Sequence, residues 1–167
     1  MPLRPGFSTL TYQEGLNVYK IIKNKLSCKS YVAGSIRRKN EYINDIDIVI
    51  ITSKNIDLSF IFTKVIRMGN SIISGVFIYK NKKVMIDIFI TTREELPFAM
   101  LQYTGPKSYN IRIRHYVKKT YGWLLNQYGI FYQNNPSKRV IGSSKIKTEK
   151  QLIEFIGTTY YPPELRK

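Results

Sequence analysis

Three aspartates and one short glycine–serine–arginine segment are the residues best suited to chemistry in this sequence. The segment is Gly34-Ser35-Ile36-Arg37-Arg38; Asp45-Ile46-Asp47 follows it, and Asp87 comes later in Val84-Met85-Ile86-Asp87-Ile88-Phe89-Ile90. Strand side chains alternate between faces, so Asp45 and Asp47 point the same way. Adjacent carboxylates repel each other and are stable together chiefly with a cation between them. Their oxygens are hard ligands, suited to Mg²⁺ or Mn²⁺. If the strand of Asp87 pairs beside the first, three carboxylates meet and can hold two ions that clamp the attacking and leaving oxygens of a phosphoryl transfer. Gly34 lets backbone approach a phosphate, and Ser35 adds a donor at the start of a helix. Arg37 and Arg38 offer guanidinium forks. A D-x-D or a Gly-Ser turn alone is commonplace; their order, with a third strand Asp, points to catalysis on a triphosphate.

The elements that must position these groups follow from pattern. Leu16, Tyr19, Ile22 and Leu26 give Thr11–Leu26 a helical spacing. Tyr31–Ala33 reads as a short strand, Gly34-Ser35 as a turn and Ile36–Lys39 as the opening of a helix. The β-branched run Asp45–Thr52 reads as a buried strand, Ile56–Ile66 as a helix, and Ser71–Tyr79 and Lys83–Ile90 as strands joined by the turn Lys80-Asn81-Lys82. Thr91-Thr92 starts a helix, with Glu94 and Glu95 placed for a capping box. The character changes at Tyr103–Thr104, where a domain boundary is expected. Beyond it come a basic helix over Lys107–Lys119, short strands around Trp123–Tyr132 and a helix from Thr148, capped with Gln151. The ten residues before Thr11 read as an irregular lead-in.

Composition narrows the partners. The 167 residues carry 27 Lys and Arg against 11 acids, a formal charge of +16, with 43% hydrophobic residues. Such a chain folds, and its surplus charge attracts polyanions. Nucleic acid is the expected partner. No apolar run is long enough for a bilayer, and no basic amphipathic helix carries a bulky apolar face. The single Cys28 excludes an intramolecular disulfide and a cysteine-based zinc site, and reads as a small buried hydrophobe. With no signal-peptide pattern, a reducing, intracellular setting is expected. In the second half Tyr103, Lys107, Tyr109, Arg112, Arg114, Lys118 and Lys119 could grip phosphates and stack on bases, while Tyr109, Ile113 and Tyr116 could form the core face of the same helix. His115 reads as a surface or DNA-contacting residue and Trp123 as core.

Together the motifs G-S-x-R-R, D-x-D and the later strand Asp resemble the palm of the family X DNA polymerases, the polymerase beta superfamily. The palm motif is shared with other nucleotidyltransferases. Tyr103-Thr104-Gly105-Pro106, Leu125-Asn126-Gln127-Tyr128-Gly129-Ile130, Thr148-Glu149 and the tail Gly157–Arg166 make the resemblance specific. In size and in its Thr-Gly-Pro the chain is similar to the minimal viral members. The resemblance implies an α+β fold: a polymerase beta-like palm with a mixed or antiparallel sheet over residues 1–103, and a small α+β domain over 104–167 that holds DNA and the nascent base pair. It implies Asp45 and Asp47 as ligands of two Mg²⁺ ions, Mn²⁺ being the alternative, and Asp87 as ligand of the one beside the primer 3′-hydroxyl. Gly34, Ser35, Arg38, Asn44, Tyr103, Gly105 and Asn110 would bind the dNTP, and Lys107, Arg112, Arg114, Lys118 and Lys119 the DNA. Asn44 stands where the family usually has Gly, Gln102-Tyr103 replaces an aromatic pair, and Lys107 replaces an acid. Only about thirty residues precede Gly34, so the family's lyase and helix-hairpin-helix domain, with its Schiff-base lysine, are expected to be absent. The implied reaction is template-directed addition of a nucleotide to a primer on gapped or primer–template DNA in base-excision repair. A DNA ligase and an AP endonuclease would be partners of a monomeric protein. The rivals are a nucleotidyltransferase acting on RNA ends, protein or small molecules, and a non-catalytic DNA-binding protein.

Overall fold

The computed structural model describes residues 5–52 and 56–166, so the first four residues of the lead-in lie outside it. The chain divides into two compact units, Met1–Thr91 and Thr92–Lys167. In the first, β1 (Leu10–Thr11) leads into α1 (Tyr12–Lys25), followed by β2 (Lys29–Val32), a single turn α2 (Gly34–Arg37), β3 (Tyr42–Ile43) and β4 (Asp45–Ile51). Then come a 3₁₀ turn (Ser59–Ile61), β5 (Lys64–Met68), β6 (Ile72–Tyr79) and β7 (Lys82–Thr91). Helix α1 begins at Thr11 because Thr11 Oγ1 accepts the Glu14 N–H at 3.3 Å while the Glu14 carboxylate accepts the Thr11 N–H at 3.0 Å. The same carboxylate pairs with Lys82 at 2.7 Å and ties the helix start to the start of β7.

Five strands form one mixed sheet in the order β2-β4-β7-β6-β5. Only β4 and β7 run parallel; the other pairs are antiparallel. Ile46, Ile48 and Ile50 of β4, Val84, Ile86 and Ile88 of β7 and Ile73 of β6 pack with Val18 and Ile22 of α1. Each such burial contributes roughly 1.5–3 kcal/mol. The period of two that sends these isoleucines into the core sends Asp45 and Asp47 to the other face.

The stretch Ile56–Ile66, expected as a helix, is instead the 3₁₀ turn followed by β5. Pairing with the longer β6 overrides the local pattern: Thr63 N–H donates to Val76 O at 2.8 Å, and Val65 lies opposite Gly75. Gly75 is required there, since a Cβ at that position would come 2.8 Å from Lys64 O and overlap the Phe62 ring. Cys28 is half-buried against the first core rather than buried.

The second unit contains α3 (Leu96–Thr104), α4 (Lys107–Tyr121), β8 (Trp123–Asn126), β9 (Gly129–Tyr132), β10 (Asn135–Arg139) and α5 (Glu149–Phe155), with 3₁₀ turns at Ser143–Lys145 and Pro163–Leu165. The strands form an antiparallel sheet ordered β10-β9-β8. Phe98 and Leu101 of α3 pack with Tyr109, Ile113 and Val117 of α4 and with Leu152, Ile153 and Ile156, so α3 belongs to this core although the composition changes only at Tyr103–Thr104. The third α4 core position is Val117, not Tyr116, which is exposed; Asn110 is buried as well, so the covered face is centred on Asn110, Ile113 and Val117 and Tyr116 falls at its edge. Trp123 is half-buried at the core edge, stacked 4.5 Å from Tyr121 and 5.9 Å from Phe155. Thr92 and Glu95 exchange capping-box bonds of 3.3 Å one turn ahead of α3. Thr148 and Gln151 cap α5 as their types require.

Candidate active site

Strand register builds the aspartate cluster. The parallel pairing of β4 and β7 sets Asp47 opposite Asp87 and Asp45 opposite Met85. Asp47 and Asp87 therefore share a sheet face, with Asp45 one alternation away on the same side. The row continues across β6 and β5, where Ser74 lies opposite Asp87 and Arg67 opposite Ser74. Asp87 and Ser74 are buried, Asp45 and Asp47 half-buried, and Arg67 exposed. Ser74 and Arg67 were not among the residues singled out from the sequence. Their only signal is alternation, and the register that aligns them is set by non-local pairing.

Mutual charge is felt across the cluster. Burial, then the charges of Asp45 and Asp87, push the Asp47 carboxyl well above the ordinary aspartate value, against the opposing pull of Arg38. A divalent cation at this face would offset that penalty, and carboxylate oxygens are the donors Mg²⁺ and Mn²⁺ prefer, so the residues fit such an ion. Among the described residues no three His, Cys, Asp or Glu side chains close into a ready-made cation cage. The three aspartates are joined by register and by charge.

The Gly-Ser segment is locked against this face. The Ala33 N–H donates to Asp47 O at 2.9 Å, and α2 then starts at Gly34 with φ +53°. The Asp47 carboxylate lies against Gly34: a Cβ there would overlap Asp47 Oδ2 and stand 2.8 Å from its Cγ. Ser35 Oγ is buried and has no hydrogen-bond partner among the described residues, a donor held ready for an acceptor. Arg37 and Arg38 are half-buried at the end of the same turn. Asn44, just before Asp45, has its Oδ1 engaged by the Thr9 hydroxyl at 3.0 Å.

The remaining residues singled out from the sequence lie in the second unit. Gly105, at φ +65°, closes α3 and precedes Pro106 through a cis peptide bond. Tyr103 is half-buried, its hydroxyl pushed up to about 12, chiefly by burial and then by Tyr128. Asn110 is buried, donating through Nδ2 to Gln102 O at 2.8 Å, with Oδ1 unpartnered. Arg114 is half-buried and donates to Gln102 Oε1. Gln102 thus orders both Asn110 and Arg114, a role its polar type alone does not advertise. Lys107, Arg112, Lys118 and Lys119 are exposed on α4, as is His115. The sequence also held no sign of the buried ion pair between Glu149 and Arg166, 2.8 Å apart.

Comparison with known proteins agrees with this architecture. The family described as DNA polymerase beta thumb matches residues 99–167. Repair DNA polymerase X from one isolate of African swine fever virus is 36% identical over 152 residues, covering 85% of this chain and 84% of that protein. In another isolate it is 32% identical over 168 residues, covering 95% and 91%. A crystal structure of Leishmania infantum polymerase beta in a ternary P/T complex superposes with a TM-score of 0.79 at 18% identity, covering 96% of this chain and 77% of that one. A mixed sheet with aspartates gathered on one face beside a Gly-Ser turn defines the class, a polymerase beta-like nucleotidyltransferase fold. Within that class the chain belongs to family X of the DNA polymerases.

Proposed function

We propose that this family X repair polymerase adds a deoxynucleotide to a primer 3′-hydroxyl under the direction of a template, filling short gaps in base-excision repair. The reading is carried by one observation: Asp47 and Asp87 are register partners, with Asp45 on the same face. The viral relatives are named for repair, and the polymerase beta structures are ternary complexes named for primer–template and gapped DNA, so DNA is taken as the partner. A DNA ligase and an AP endonuclease acting on either side of the gap, and an intracellular site of action, complete the proposal.

Asp45 and Asp47 would hold two divalent cations, and Asp87 the one nearest the primer. When bound, the ions supply acidity for the hydroxyl and neutralise the leaving pyrophosphate. Ser35 donates to a phosphate oxygen with the hydroxyl that has no partner among the described residues. Arg38 holds positive charge beside the same group, close enough to oppose the raised Asp47 pKa. The bare Gly34 leaves room for the Asp47 carboxylate. Asn44 is assigned to the triphosphate, and Tyr103, Gly105 and Asn110 to sugar and base. Lys107, Arg112, Arg114, Lys118 and Lys119 are assigned to the DNA, largely through phosphates.

Extension of gapped DNA with each of the four dNTPs and rNTPs, in Mg²⁺ or Mn²⁺, tests the proposal. Asp87→Asn is expected to lower incorporation by about 10³-fold (~4 kcal/mol) while DNA affinity holds. Undiminished incorporation by this variant would remove the mechanism. Transfer to RNA ends, protein or small molecules in place of gapped DNA would move the chain to the rival class of nucleotidyltransferase.

A further inference from the structure

Arg139 ends β10 half-buried, with its guanidinium turned onto the protein. The guanidinium carbon stands 5.6 Å from the centre of the Phe98 ring and 5.4 Å from that of Phe131, within reach of cation–π attraction. Nη2 donates to Tyr128 O at 2.7 Å. A Cβ at Gly129 would stand 2.6 Å from Arg139 Nη1 and 2.8 Å from its Cζ, so the glycine leaves the space that the guanidinium fills. Strand register delivers the side chain there. The pairing of β10 with β9 shifts between Asn135 and Arg139, and Arg139 comes opposite Phe131. An irregularity of this kind re-aims a side chain.

What the guanidinium holds is the turn between β8 and β9. Inside that turn Asn126 Oδ1 accepts the Tyr128 N–H at 2.8 Å and the Gly129 N–H at 3.2 Å. Tyr128 at its tip is 41% exposed, so burial does little to keep the turn in place and hydrogen bonds must. Asn126 and the preceding Leu125 line a small cavity together with Gln102, Asn110 and Arg114, and Phe98, whose ring the guanidinium covers, lines it too. The turn and its arginine therefore stand behind one wall of the space that Asn110 and Arg114 border. We propose that Arg139 is a positioning residue for the nascent base pair. By holding the β8–β9 turn it keeps the wall formed by Leu125 and Asn126 closed on Asn110 and Arg114, and so sets the affinity for the incoming nucleotide. This role rests on the proposed function, in which Asn110 takes the nucleotide and Arg114 the DNA.

Steady-state filling of gapped DNA, with anisotropy and amide hydrogen exchange on the same full-length samples, tests the role. Arg139→Met keeps a long side chain against the Phe98 and Phe131 rings and removes the donors. It should raise the KM for the matched dNTP about fivefold, with kcat and DNA affinity each within about twofold of the parent. Exchange of the Tyr128 and Gly129 amides should quicken about tenfold, while that of Val117 in the core of α4 stays as it was. Arg139→Lys, which keeps the charge and can still reach Tyr128 O, should recover part of both effects, and it is the second variant if the first is unstable. A rise in KM matched by an equal loss of DNA affinity would make Arg139 a phosphate contact. An unchanged KM beside faster exchange would make it a tie without a part in nucleotide binding, and unchanged exchange would remove the clamp. Each of these, in a parent that fills gaps, overturns the role alone; a parent that fills none overturns the proposed function and the role with it.

Discussion

The contact between Gly34 and Asp47 yields a prediction with two separable parts. Replacing Gly34 with Ala first strains the backbone, because φ is +53° and an L-residue in the left-handed region costs ~1–2 kcal/mol. That corresponds to a fall of about 5–10 °C in the melting of the first unit. Secondly, the new Cβ would overlap Asp47 Oδ2 and stand 2.8 Å from Cγ, where ordinary contact is 3.4–4 Å. The carboxylate must move by roughly an ångström, and a displacement of that size at reacting groups costs about 100-fold in rate, or ~2.7 kcal/mol. Gly122 supplies the control. Its φ is +65° and nothing lies within 4 Å of an added Cβ, so Gly122→Ala carries the strain without the collision. Single-turnover incorporation on gapped DNA, with calorimetry on the same samples, separates the two effects. Both variants should melt lower, and only Gly34→Ala should lose about 100-fold in rate with DNA affinity retained. Incorporation by Gly34→Ala within about threefold of the parent, or an equal rate loss in Gly122→Ala, would refute the reasoning from the collision.

Three further outcomes follow from the same structure. The folded chain favours protonated Asp47, so in the absence of metal this group's stabilising contribution is full below the ordinary value of 3.8 and is lost as pH rises through the raised one. Asp47→Asn should therefore melt above the parent near neutral pH without metal, the gap closing toward about pH 4, and Mg²⁺ should raise the melting temperature of the parent only; thermal melts across pH check both. Glu149→Gln leaves the buried Arg166 guanidinium uncompensated and should cost the second unit ~3–5 kcal/mol, whereas Glu149→Leu combined with Arg166→Met should lose less than the sum of the single changes in a denaturation cycle. Replacing Lys118 and Lys119 with Ala should weaken DNA binding at every sequence and flatten the slope of log affinity against log salt by about 0.9 for each phosphate that is no longer neutralised, measured by anisotropy.

Much of the local structure was legible because it is set by residues close together in the chain. The period of two in Asp45–Ile51 announced a strand with its carboxylates on one face, and the Thr148 and Gln151 pair announced the start of α5. The charge of +16 pointed to a polyanion. What the sequence left open depends on pairing between distant segments. Residues 56–66 became a turn and a strand because β6 offered a longer partner and Gly75 made space for the Phe62 ring. Asp87 stands level with Asp47 because β7 runs parallel to β4 in one register; a shift by one residue would turn it to the opposite face. The same dependence on distant packing buries Ser35 Oγ, the Tyr109 hydroxyl and Arg166 Nη2 without hydrogen-bond partners among the described residues. Residue type tells which groups can donate a hydrogen bond, and only the folded chain decides which of them are left waiting for an acceptor.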